Sequence, residues 1–232
     1  MKNLRIFIIG MYEVSQMTKK SLEKELNDDI IKEVGNILSN HTATAFSQMM
    51  EDDFNIKSEV MLISLNDFSM EVVLTKQFSK IFNEVNDSHI KGYFLQTSAG
   101  VEGVSVLLFS DEHAEKLINT VADSMGTGVE NDEDRKEILK EFSSIAMNAY
   151  LTALSNLIET KIDATTPIPA TDLLAALYDF KEHMNEGNKE EALMIKTDIV
   201  AKESGITGKL SILLEPDSFR KIVKILNSKA GV

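Results

Sequence analysis

The 232 residues carry a formal charge of −13 and 43% hydrophobic side chains, which places the chain among ordinary globular proteins able to bury a sizeable core. That charge, with no basic run of five or more residues, argues against nucleic acid and against an anionic membrane surface as partners. There is no cysteine, and His41, His89, His113 and His183 show no ligand spacing, so no metal site is expected and any chemistry falls to carboxylates, amides and hydroxyls.

In chain order, residues 1–20 come first as an N-terminal arm. Its apolar stretch is short, interrupted by Arg5 and followed by no small-residue cleavage site, so it reads as an added strand or a packing arm rather than an export signal. Nothing approaches 18 consecutive apolar residues, and the expected location is the cytoplasm.

From Ser21 to Met50 a proline-free pattern predicts a long helix, with Ile30, Val34, Ile37, Leu38, Ala45 and Met49 at helical spacing. Strands are expected at Val60–Leu65 and Ile90–Gln96, with a helix near Val73–Asn86 between them. Val104–Phe109 reads as a short apolar strand. Ser110 then caps a helix whose first turn is acidic, and Gly126 ends it after Met125. GTGVENDEDR reads as a linker.

The pattern then restarts. Asp134–Glu159 is a second long helix, and Thr166-Pro167-Ile168-Pro169 forces an extended exit. Thr171 is expected to cap a helix over Asp172–Met184, followed by a solvated turn. Strands over Ala192–Ala201 and Gly208–Leu214 lead into a last helix that opens at Asp217. The restart is a repeat: at an offset of 108, Lys32, Glu33, Ile37, Asn40, Thr44, Ala45 and Ser47 recur as Lys140, Glu141, Ile145, Asn148, Thr152, Ala153 and Ser155. At an offset of 106, VSVLLFSD resembles LSILLEPD. Two ordered matches at nearly one offset indicate duplication, with halves at 21–128 and 129–232 forming one compact pseudo-symmetric domain. The expected class is α/β (α+β), each half bearing a long helix and antiparallel strands.

Asp29, Glu33, Asn36 and Asn40 stand at i, i+4, i+7 and i+11 in the first long helix, within an arc of roughly 60°. Any soluble helix presents a polar face, but this line holds carboxylates and amides with no lysine. Gly35, beside Asn36, costs about 1 kcal/mol of helix propensity, and its missing side chain would let another surface approach the amide.

These residues resemble the CheC/CheX/FliY family of chemotaxis phosphatases, in a CheC-like two-repeat form. The family motif runs Asp or Ser, three residues, Glu, two residues, Asn, then 22 residues and Pro. Asp29, Glu33 and Asn36 match its first three terms, while Glu59 stands where the proline is expected. In the second half Glu141 and Pro167 match, but Ser144 replaces the Asn and Glu137 replaces the leading residue, so a degenerate second site is expected.

The resemblance implies hydrolysis of the aspartyl phosphate of a CheY-like response regulator. Glu33 would pair with the regulator's active-site lysine, Asn36 would orient the attacking water, and Asp29 would support them. No cofactor is expected on this chain, since the regulator carries its own Mg²⁺. The alternative is a non-catalytic adaptor that binds a response regulator, the deamidase CheD or the flagellar switch. A switch subunit of this family usually has a further C-terminal domain, and this sequence stops shortly after its last expected helix.

Overall fold

The computed structural model describes residues 28–50, 52–64, 90–172 and 191–230. In order these form α1 (Asp28–Met50), β1 (Phe54–Ser64), β2 (Ile90–Ser98), β3 (Gly103–Ser110), α2 (Asp111–Met125) and α3 (Asp132–Ile158). Two short strands follow, β4 (Asp163–Ala164) and β5 (Ile168–Pro169), with a 3₁₀ turn over Ala170–Asp172. The chain then makes β6 (Glu191–Ala201), β7 (Thr207–Leu214) and α4 (Pro216–Ala230). The expected helices near Val73–Asn86 and beyond Asp172, the turn after Met184 and the arm 1–20 lie outside the described residues.

Most boundaries follow from local chemistry. The Ser110 hydroxyl accepts from the His113 N–H and starts α2, and Gly126, at φ 66°, closes it in the left-handed conformation that glycine adopts without strain. The last four residues of the expected linker are instead the first turn of α3. Asn131 and Asp134 form a reciprocal capping box there, and three acidic residues favour the positive end of the helix dipole. Strand β1 starts six residues before the expected Val60 because Phe54-Asn55-Ile56-Lys57-Ser58-Glu59 alternates at strand period with polar residues on one side. A serine at an inward position disguises that alternation.

All described strand pairs are antiparallel and lie in one sheet of order β1-β6-β7-β3-β2-β4, with β5 also on β2. Read from either end, this order exchanges β1 with β4 and β5, β6 with β2, and β7 with β3. The halves are therefore interleaved: β1 pairs with β6, and β4 and β5 pair with β2.

Residues paired across the ladder share a face. Tyr93, Leu95, Leu107, Phe109, Leu193, Ile195, Leu210 and Ile212 face one way and join a single core with side chains from all four helices. Phe46 of α1 meets Phe142 of α3 at 5.0 Å between ring centroids, and Phe142 in turn meets Phe109 edge-on at 6.1 Å. Phe94, Val104, Val106, Leu108, Met194 and Leu213 point to the other face and are buried there too. Burial on both faces explains why β3 reads as an unbroken apolar run.

The faces also correct one sequence offset. Matching VSVLLFSD to LSILLEPD at 106 aligns Val104 with Leu210, which point to opposite sides of the sheet. The geometric offset is 105: it superposes Gly103 on Gly208 and the first residue of α2 on the first of α4. For α1 and α3 the offset of 108 holds, since the buried positions Gly35, Leu38, Ser39, Thr42 and Phe46 fall on Ser143, Ala146, Met147, Tyr150 and Leu154, also buried.

Candidate functional site

Asp29, Glu33 and Asn36 all lie within α1, whose helical period puts them on one side. The side chains of Asp29 and Glu33 lie outside the described set. Asn36 is exposed, as is Asn40 one turn on, while Leu38, Ser39 and Thr42 between them are buried. Asn36 and Asn40 thus lie on the outer side of a helix whose inner side is held against the sheet and against α3.

Gly35 does something other than its sequence context suggests. It is buried, and a Cβ placed on it would lie 3.4 Å from the Cβ of Ser58. The surface that approaches this glycine is the chain's own strand β1, and no external surface reaches the amide through it. One turn later the Ser39 and Ser58 hydroxyls lie 2.7 Å apart, and Ser58 also meets the Thr197 hydroxyl of β6 at 2.9 Å. Asn36 therefore projects from a helix turn seated directly on β1.

The corresponding face of α3 differs. Glu137 and Glu141 are exposed, and Lys140 pairs with Glu137 at 3.4 Å. Ser144 is half-buried and accepts a hydrogen bond from the Asn148 amide at 3.3 Å, so the two polar side chains satisfy each other. Ile145, 40% exposed, interrupts the polar line. Burial first, and then the carboxylates of Glu137 and Glu133, push the Tyr93 phenol above its usual range. Its hydroxyl donates to the Lys136 carbonyl at 3.1 Å, which ties the start of α3 to β2.

A cavity of about 610 Å³ opens beside that start, lined by Lys91, Tyr93, Glu115, Ile118, Arg135 and Leu139 among others. Lys91 lies 2.7 Å from Glu115 and 3.2 Å from Asp111, and Arg135 also pairs with Glu115. The hydrogen bond that the Lys91 ammonium donates to Glu115 is the main cause that holds it above its ordinary range. Sequence reasoning passed over this cluster. Its one signal was the i, i+4 pair Asp111 and Glu115 on α2, and none of the six expected site residues lines the cavity. Among the described residues no three His, Asp or Glu side chains gather as a metal cluster, and no helix is long and apolar enough to cross a membrane.

No family model matches the chain. It is 24% identical over 218 residues to the CheY-P phosphatase CheC of Bacillus subtilis, covering 88% of this chain and 96% of that protein. Among solved structures, Thermotoga maritima FliY superposes with a TM-score of 0.54 at 16% identity, over 87% of this chain and 96% of that one. A chain of the FliG–FliM complex of H. pylori gives 0.55 at 12% identity, over 87% and 98%. The chemotaxis protein CheX of Desulfovibrio desulfuricans gives 0.50 at 10% identity, over 79% and 99%. Over most of its length the chain is thus similar in sequence to a CheC protein, and it shares the fold of the FliY, CheX and FliM structures.

Proposed function

We propose that the chain hydrolyses the aspartyl phosphate of a CheY-like response regulator, with the outer side of α1 as its catalytic surface. The observation that carries this reading is the exposed Asn36 amide on the helix turn seated against Ser58, while the matching position of α3 holds a half-buried serine already bonded by Asn148. Phosphoryl transfer asks little covalent help of a protein beyond positioning and charge stabilisation. An amide both donates and accepts, so it can hold a water with a lone pair in line with phosphorus. A carboxylate would repel the phosphoryl oxygens from that place, whereas Glu33, one turn away, suits the regulator's lysine. Asp29 supports Glu33 from the preceding turn. The Mg²⁺ belongs to the regulator, and this chain brings no metal of its own.

The test uses a CheY-like regulator from the same genome, phosphorylated with acetyl phosphate and freed of the donor. Wild type should accelerate phosphate loss, and Asn36→Ala should lose at least about 100-fold in rate, near 2.7 kcal/mol of transition-state stabilisation. Glu33→Ala should weaken docking. A wild-type chain that leaves the decay unchanged, or an Asn36→Ala chain that matches it, overturns the assignment.

One observation favours a second reading for the other half. The face of α3 combines Glu137 and Glu141 with the exposed Ile145, and its amide, Asn148, donates to Ser144, a composition that suits docking without turnover. In that reading the chain is an adaptor for a response regulator, CheD or the flagellar switch. Binding of the phosphorylated regulator with no acceleration of its decay would select it.

A further inference from the structure

We propose that Ser39 and Ser58 are positioning residues for Asn36, acting as a hydroxyl strut that fixes the height and rotation of α1 on the sheet. The proposal rests on the phosphatase reading and adds to it two residues that touch no substrate.

Three observations converge on one helix turn. Gly35 leaves no side chain between α1 and β1, so the two backbones approach until a Cβ there would sit at van der Waals contact with Ser58. Ser39, one turn further along the same inner side, bonds the Ser58 hydroxyl at 2.7 Å. Ser58 in turn bonds Thr197 at 2.9 Å, and Thr197 is 1% exposed in the middle of β6. The strut thus runs from the helix through the outermost described strand to an interior strand. Asn36 lies one residue from Gly35 and three from Ser39, so a small rotation of this turn would swing the amide sideways. Apolar contacts alone tolerate such rotation, because they have no preferred direction. A chain of hydroxyl bonds does not, since geometry falls off steeply with angle.

The second half supplies an internal comparison. At the offset that superposes the two helices, Gly35 and Ser39 correspond to Ser143 and Met147, and Ser58 to Thr166, which is exposed. The strand exchange puts Leu95 of β2 where β6 carries Thr197. No strut exists there: Met147 and Leu95 are buried in the apolar core. The half that presents the free amide is the half that carries the strut.

The experiment uses the full chain with Ser58→Ala and Ser39→Ala, with Ser39→Thr as the conservative replacement. Ser218→Ala serves as a control, because it removes a buried hydroxyl bonded to the Glu102 N–H, in neither α1 nor β1. In the free chain, amide exchange over residues 35–40 should quicken roughly 10-fold in the two alanine variants and stay unchanged in Ser218→Ala. With the acetyl phosphate-loaded regulator, kcat should fall about 10-fold in the same two variants with KM within twofold, and Ser39→Thr should recover most of it. Unchanged exchange over 35–40, or faster exchange with an unchanged kcat, overturns the strut. A wild-type chain inactive on the regulator overturns the phosphatase reading instead, and the exchange data then decide the strut alone.

Discussion

Tyr150 of α3 is fully buried, and its hydroxyl makes no hydrogen bond of good geometry. Burial pushes its phenol far above the ordinary range, and the nearby Thr197 hydroxyl offsets this only in small part. A desolvated hydroxyl without a partner lowers stability, so deleting the oxygen while keeping the ring removes a cost and leaves the packing intact. Tyr150→Phe should therefore leave stability unchanged or raise it by up to about 1 kcal/mol in urea denaturation. A loss of more than that would mean the hydroxyl has a partner. At this scale the sequence was an uneven guide. The residue types of the α1 face, Asp29, Glu33 and Asn36, could be read directly, because a line of carboxylates and amides without lysine is unusual for a solvated face. The role of Gly35 could not, since which side of the helix turns inward depends on the register of β1. Ser58 was hidden for the same reason: a lone serine in a strand looks like surface until its partners are known.

At the scale of the element, the loop from α1 into β1 is tied to the β6–β7 turn by Asp53, which accepts from the Lys202 N–H and ammonium, and by the buried carboxylate of Asp52. Asp52, 7% exposed, accepts from the N–H groups of Glu203 and Ser204 and from the Ser204 hydroxyl in the turn between β6 and β7. Burial would raise its pKa, but the hydrogen bonds from Ser204, Glu203 and Asp53 together outweigh that, and the net shift is downward. A carboxyl with a lower pKa folded than unfolded stabilises the fold above the unfolded value. That stabilisation is lost as pH falls through the folded one. Asp52→Asn should cost about 2 kcal/mol at pH 7, and the gap to wild type should close as pH drops below about 4. A gap that stays constant from pH 7 to pH 3 would show that the charge of Asp52 contributes nothing. Elements with their own local signals were legible in the sequence: α2 through Ser110 and Gly126, and β3, β6 and β7 through short apolar runs. Those defined by a partner were not. The alternation in the first half of β1 is hidden by its inward Ser58 until β6 stands beside it, and the start of α3 reads as linker because capping chemistry and loop chemistry use the same residues.

At the scale of the whole molecule, the described strands form one sheet in which the two halves are interleaved. Both long edges of the described sheet belong to strands held by the opposite half, β1 on β6 and the β4–β5 pair on β2. The two ordered sequence matches were visible in the chain, but the strand exchange was not, because strand order leaves no mark in a single chain's periodicity. A cut between the halves therefore divides a sheet rather than separating two domains. Residues 1–128 alone should show no cooperative urea transition, and adding residues 129–232 in trans should restore one. A sharp transition in the first fragment by itself would contradict the interleaved core.

The same weave sets a timetable for synthesis. Strand β1 leaves the ribosome long before β6, its only partner among the described strands, which follows roughly 130 residues later. At a synthesis rate of about 5–20 residues per second, that is an interval on the order of 10 s. Through that interval β2 and β3 can close as a hairpin, while Phe54 and Ile56 lack the β6 ladder they pair with in the finished fold. The nascent first half is an open-edged intermediate by construction, exposed to any chain that offers a strand before its own second half arrives.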